Sequence, residues 1–270
     1  MPLRSLLAGP LAIALLGGAG QAWAVEARLL RVCANQSIGD EKGGNSAHTL
    51  LRLAVDAVPG LELRTTLLPW QRCLSEAAGG QFDAALAASH TPERARSLVY
   101  PMDATGQPDV SQRMFLVGYA LLKRKASPAR WDGQRFSGTS QRAGEALGAE
   151  RGYSIIQFAQ QRGAAVEDRF PSYASLIESL RLGRIAGVLI NQEGAAQLLA
   201  EPAWAKGHEL SGPPLQQKAY YLAFNPRFAA AQPHLAQQLW ALLAKMRQTS
   251  GFQQHFSHAM TAGRRKDIRP

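Results

Sequence analysis

The sequence predicts an α/β protein built on a largely parallel sheet and exported from the cytoplasm. Three observations predict it. Apolar runs with strand and helix periods alternate along residues 29–88. The apolar fraction is 46%, ample for buried cores. The first 24 residues have the grammar of a cleavable secretory signal.

The signal comes first in the chain. Arg4 gives a basic start, residues 6–20 form an apolar run broken by Gly and Pro, and Ala22-Trp23-Ala24 is a small-residue cleavage site. The mature chain is expected to begin near Val25. The apolar run is too short and glycine-rich to span a bilayer, and no cysteine stands at the cleavage point to carry a lipid. The expected location is the periplasm. The remaining length suits one large domain or two lobes of ~100–150 residues each.

Residues 29–33 read as a first strand, and residues 34–46 as a polar loop. Residues 49–58 suit a helix, and Pro59-Gly60 a turn. Leu61, Leu63, Thr65 and Leu67 then alternate with Glu62, Arg64 and Thr66, a strand pattern. Trp70, Cys73, Leu74, Ala77 and Ala78 fall on one helical face, with Pro69 at the start and Gly79-Gly80 at the end. Residues 82–88 read as a buried strand. Ligands of such sheets bind beyond the carboxyl ends of strands, and Ser89 stands at one.

Ser89-His90-Thr91-Pro92-Glu93-Arg94 follows. Thr91 suits an N-cap and Pro92 the first position of a further helix, which puts Arg94 in its first turn. A cation is disfavoured there by the helix dipole, unless an anion is held by the free N–H groups and the guanidinium. The same residues also read as a capped surface helix with a solvated Arg94. Further on, residues 114–122, 146–151, 185–190 and 219–224 read as strands, and residues 202–214 as loop. Gly152-Tyr153-Ser154 precedes an amphipathic run; it fits an anion-cradling turn or an ordinary helix cap. Ser172 can cap a helix that Gly183 ends, and Leu235, Leu239, Leu242, Leu243 and Met246 mark a C-terminal helix face.

The net charge is +10, but the basic residues are dispersed and not interleaved with aromatics, so nucleic acid is not an expected partner. Arg264-Arg265-Lys266 belongs to a tail at 263–270. The two cysteines, Cys33 and Cys73, read as a disulfide in an oxidising compartment. The alternative is two separate buried thiols. A disulfide here is worth ~4 kcal/mol by chain entropy. No metal site or cofactor is expected. His255 and His258 lack the Glu of a metalloprotease motif, and no G-x-S-x-G elbow is present. His90, between Ser89 and Thr91, is the histidine beside the strand-end turn.

Pro69-Trp70, Arg72-Cys73, Gly80, Asp83, Thr91-Pro92-Glu93-Arg94 and Pro101 together resemble the first lobe of the family 3 bacterial extracellular solute-binding proteins. These are periplasmic receptors of polar amino acid ABC importers. Weaker similarity runs through most of the mature chain. The resemblance implies a type II periplasmic binding protein of two lobes, each a mostly parallel sheet flanked by helices, with two hinge crossings. It divides the chain into signal peptide 1–24, first lobe 25–113, second lobe 114–217, return to the first lobe 218–262, and tail 263–270. It implies a monomer that binds a small amino acid or other anion and meets an inner-membrane permease. Ser89, Thr91 and Arg94 would hold an anionic group, with Gly152, Ser154 and Asn191 completing the site and Trp70 lining the cleft or packing in the core.

The chain departs from the family pattern in two places. The loop after the first strand, Asn35-Gln36-Ser37-Ile38-Gly39-Asp40, carries no aromatic. The family unit G-R-x-D-A reads Gly183-Arg184-Ile185-Ala186-Gly187 here, and the carboxylate eight residues after the glycine is Asn191. A ligand ammonium would lose its charged partner, which points toward ligands without one. Alternatives on the same fold are a sensory or accessory binding protein and a dehydratase-like enzyme.

Overall fold

The computed structural model describes residues 28–36, 46–250 and 252. The expected signal peptide, most of the 34–46 loop, His255, His258 and the tail lie outside the described residues.

The first half of the fold follows the sequence rhythm. β1 (Arg28–Asn35) runs parallel to β2 (Leu61–Leu68), joined by α1 (Ser46–Asp56). Ala47, Leu50, Leu51, Ala54 and Val55 recur at helical spacing and are all buried, so α1 lies with one face on the sheet. α2 (Trp70–Gly79) stops at Gly80, whose φ of 89° a side chain would strain. Gly80 N–H donates to Ala77 O, and Gln81 N–H to Glu76 O. Asn225 Nδ2 donates to Ala77 O (2.8 Å) and Ala78 O (3.1 Å), adding a side-chain donor to the carbonyls at the helix end. The Cys33–Cys73 disulfide pins α2 to β1, with Cα atoms 5.5 Å apart. β3 (Ala84–Ser89) is buried at every residue and lies beside β1. Just before it, Asp83 accepts from Arg31 N–H (2.8 Å), Nε (3.2 Å) and Nη2 (2.7 Å), locking the start of β3 to β1.

Beyond β3 the chain passes through β4 (Phe115–Arg124), β5 (Arg130–Trp131), β6 (Phe136–Ser137), β7 (Leu147–Glu150), α3 (Ile155–Gln161), β8 (Val166–Phe170), α4 (Tyr173–Arg181) and β9 (Gly187–Asn191). α5 (Gln192–Ala200), α6 (Pro202–Gly207), β10 (His208–Leu210), β11 (Gln217–Phe224), α7 (Pro226–Ala231) and α8 (Pro233–Met246) complete it. The strand order is β2-β1-β3-β11-β4-β9-β7-β8, with β10 on β4. Two strands join the halves. β4 pairs with β11 through Phe115–Gly118 and then with β9 through Tyr119–Lys123. β11 pairs with β4 through Gln217–Tyr220 and then with β3 through Tyr220–Phe224. Each half keeps its own core. One gathers Leu30, Leu50, Leu86, Phe224 and Leu239; the other gathers Tyr119, Trp131, Leu147, Ile155 and Leu189.

Three local expectations are corrected. The helix expected after Thr91 is a single tight turn, Arg94–Arg96. Thr91 does cap it, accepting from Arg94 N–H at 3.2 Å. Val99 then exchanges backbone hydrogen bonds with Phe224, which pulls the chain extended. Residues 202–214, expected to be loop, hold α6 and β10. Pro202 opens the helix, and the His208 ring packs 4.5 Å from Trp204 while β10 pairs with β4. Ser154 does not cap α3 with its side chain; its backbone is already helical, with φ −68° and ψ −10°.

Candidate functional site

β3 ends in an unusual conformation. Ala87 has φ 57°, a left-handed value that costs a non-glycine residue of order 1–3 kcal/mol. Opposite it the register of β11 shifts between Tyr221 and Ala223. This irregular stretch ends at Ser89, which is buried. Tyr100 donates its phenol proton to Ser89 O at 3.3 Å. Burial pushes the Tyr100 phenol up to about 12, so it remains a donor across the physiological range.

Arg94 bridges the halves. Its Nη1 donates to Ser89 O (2.8 Å) and Ser89 Oγ (2.9 Å), and its Nη2 donates to Gly152 O (2.6 Å). The guanidinium lies 5.6 Å from the Trp70 ring, a cation–π contact. Trp70 is buried at the start of α2 and borders the small cavity beside Arg94, but lines neither of the two larger clefts between the halves. Among the described residues no carboxylate pairs with Arg94.

From the other half, Ser154 meets Ser89, the two hydroxyls sharing a hydrogen bond of 2.8 Å. Lys218, on β11, donates to Ser154 Oγ (2.7 Å) and Ser154 O (3.1 Å). Burial, and then the charge of Arg94, lower the Lys218 pKa to about 8. The path Arg94–Ser89–Ser154–Lys218 sets an upper bound of about 8 Å, the length of its three hydrogen bonds, on the separation of the two cations. At that separation and an effective dielectric of about 20, two unit charges repel by ~2 kcal/mol. The nearby buried carboxylate, Glu150, accepts from Asn35 Nδ2 at 2.7 Å, and Asn35 also donates to Tyr153 Oη at 2.8 Å. Where the crossing strands meet, the Tyr119 and Tyr220 phenols hydrogen-bond to each other, and burial raises both pKa values.

The space around these groups is uneven. A cavity of about 20 Å³ lies between Trp70, Ser89, Arg94, Tyr119, Tyr153 and Tyr220. On the Lys218 side it gives way to a cleft of about 590 Å³ lined by His90, Gln107, Phe158, Arg162, Gln216 and Lys218 among others, with no Asp or Glu in its lining. On the other side a cleft of about 420 Å³ runs between α2 and α3 and includes Glu93 and Asp168. His90 faces the larger cleft and packs edge-on against Tyr100 at 5.1 Å. Burial and the charge of Arg94 lower its pKa, which favours the neutral ring.

The structure thus brings Trp70, Ser89, Thr91, Arg94, Gly152 and Ser154 to one interface between the halves. Asn191 is not among them: it is exposed and caps α5, accepting from Gly194 N–H at 2.6 Å. Sequence reasoning missed Lys218, Asn35, Glu150 and the tyrosines. The available signal for Lys218 was a lone cation just ahead of the apolar run 219–224. Among the described residues, no cluster of three or more His, Cys, Asp or Glu could hold a metal. No helix among them is long and apolar enough to cross a membrane.

No family model matches the chain, and no curated protein sequence matches it. Solved structures do. An amino acid ABC transporter substrate-binding protein from Streptococcus pneumoniae, bound to L-arginine, superposes with a TM-score of 0.67 at 17% identity, over 88% of this chain and 97% of its own. A mutant of ArgBP from T. maritima superposes at 0.66 and 16% identity, over 86% of this chain and 95% of its own. The chain has the two-lobed fold of the periplasmic binding proteins. A histidine kinase sensor domain with similarity to periplasmic binding proteins shares it, with a TM-score of 0.67 at 16% identity over 86% of this chain and 96% of its own. In this fold β4 and β11 are the two crossings between lobes, and the Arg94–Ser154 cluster lies where the lobes meet.

Proposed function

We propose that the chain is a periplasmic solute receptor that closes its lobes around a small anionic or amino-acid-like solute and presents it to an ABC importer. In this reading residues 1–24 are a cleaved signal peptide. Residues 25–113 and 218–262 build the first lobe and residues 114–217 the second. The protein works as a monomer and needs no cofactor. The observation that carries the reading is Arg94, a guanidinium held at the lobe interface by carbonyls of both lobes and, among the described residues, without a carboxylate partner. Such a group matches a planar anion bidentately. Closure then follows from each lobe contributing part of the site.

The test is thermal unfolding of the purified protein against amino acids, small carboxylates and inorganic oxyanions. A solute present at a hundred times its Kd stabilises the fold by ~2.7 kcal/mol. The expected result is a shift with at least one anion that Arg94→Ala abolishes. Equal binding by Arg94→Ala would refute the role of this site. The shared fold of the sensor domain favours a second reading, solute sensing without transport. Loss of solute uptake on deleting the gene supports transport; unchanged uptake supports sensing.

A further inference from the structure

We infer that the solute carries two anionic groups and no ammonium, one anion meeting Arg94 and the other Lys218, with its body in the cleft on the Lys218 side. This rests on the solute-receptor reading and names the solute's chemistry. Four observations carry it. Lys218 is a second cation on the same chain of hydrogen bonds, donating to Ser154 Oγ, which bonds Ser89 Oγ, the hydroxyl that Arg94 holds; among the described residues it too has no ion-pair partner. The cleft it opens into has room for a small molecule, about 590 Å³; its lining adds Arg162 and four glutamines but no acid, and it adjoins the small cavity that Arg94 borders through Ser154, which lines both. The position that the resemblance assigns to an ammonium partner is the neutral Asn191, which is turned to a helix cap, and Ala186, where the family unit has an acid, is buried and apolar. The buried acid nearby, Glu150, is already hydrogen-bonded to Asn35. An ammonium placed here would be a third positive charge beside Arg94 and Lys218. A short dicarboxylate, or a carboxylate joined to a phosphate, neutralises both.

The cleanest test compares a dianion with its half-neutralised analogue. Isothermal titration would use succinate and its half-amide succinamate, with glutarate, citrate, inorganic phosphate, L-arginine and L-glutamine alongside. The wild type should prefer succinate or glutarate over the half-amide by at least tenfold. Lys218→Met should bring the two within about threefold, and Lys218→Arg should keep the preference, which separates charge from a folding defect. Tighter binding of citrate, lost in Lys218→Met, would support the same chemistry from another source, whereas tighter binding of phosphate than of every dicarboxylate would overturn the two-group inference. Binding of L-arginine or L-glutamine unchanged by Lys218→Met would overturn the inference and leave the receptor reading standing. Binding of no compound in the panel would overturn both.

Discussion

Lys218→Met should stabilise the protein in the absence of added solute, and the gain should shrink as pH rises. The folded pKa of Lys218 is lowered to about 8, by burial first and by Arg94 second. An unfolded lysine titrates near 10.4. A lysine with a depressed folded pKa is a destabilising cation below that pKa. As pH climbs from about 8 toward about 10.4, the folded state sheds the proton while the unfolded state keeps it, so stability rises. A shift of about 2.4 units is ~3 kcal/mol, which solvent screening of a partly exposed side chain reduces to ~1–2 kcal/mol. The buried tyrosines act in the opposite sense. Tyr100 and Tyr173, both pushed up to about 12, stay neutral in the fold while their unfolded counterparts ionise near pH 10. Both proteins share that loss, so it cancels in the difference between them. The assay is urea unfolding of wild type and variant at pH 7, 8.5 and 9.5 with the disulfide oxidised. Methionine is also more apolar than lysine, so a constant offset proves nothing. The diagnostic is the convergence of the two stabilities with rising pH. A difference that stays flat between pH 7 and 9.5 would sink the reasoning.

Three more outcomes are expected. Asn35→Ala removes a cross-cleft donor to the buried Glu150, a hydrogen bond worth ~0.5–1.5 kcal/mol. Hydrogen exchange should then quicken in residues 147–161 and stay unchanged in residues 61–68; equal exchange in both proteins would mean the contact does not hold the lobes together. Replacing Cys33 and Cys73 together by alanine should lower stability by ~2–4 kcal/mol in urea, the range for closing a loop of this length. An unchanged midpoint would mean the 40-residue span is held as well without the bond. Asp83→Ala leaves the Arg31 backbone N–H without its acceptor and should cost ~1–3 kcal/mol by the same assay, with solute binding intact. Loss of binding at unchanged stability would contradict a purely structural role for Asp83.

The first lobe was legible because its elements advertise themselves locally. Apolar spacing marks α1 and α2, alternation marks β2, and Gly80 marks a helix end that needs a left-handed residue. The failures have local causes too. Thr91-Pro92 is a good helix start, but a backbone exchange between Val99 and Phe224 cuts the helix to one turn. That exchange is between residues far apart in sequence, so no window around residue 91 contains it. Residues 130–137 carry too few alternations to announce a hairpin, yet Trp131 and Phe136 close one with ring centroids 4.5 Å apart. The site splits the same way. Arg94, Ser89 and Ser154 were legible as residues at strand ends and turns. Asn191 was placed by its distance from Gly183, but it begins α5, and its side chain goes to the orphan N–H groups there. Lys218 sits in a crossing strand, where nothing in its neighbourhood in sequence tells which lobe it faces.

That location has an energetic consequence. The donors in the cleft already have good partners: Arg94 has Ser89 and Gly152 carbonyls, and Lys218 has Ser154. A neutral solute that exchanged these for hydrogen bonds of its own would gain little, because each cation would trade one neutral acceptor for another. What the protein partners do not supply is negative charge. Carbonyls and hydroxyls satisfy the N–H geometry of the two cations without offsetting their mutual repulsion. An anion replaces those neutral acceptors with charged ones, adding direct ion-pair attraction to bonds already assisted by the cationic donors, and offsets the repulsion at the same step. A neutral analogue of the same shape gains neither, so selectivity here follows net charge ahead of shape. On the proposed solute chemistry the lobe interface would discriminate by charge, with Lys218 extending that discrimination from one anionic group to two.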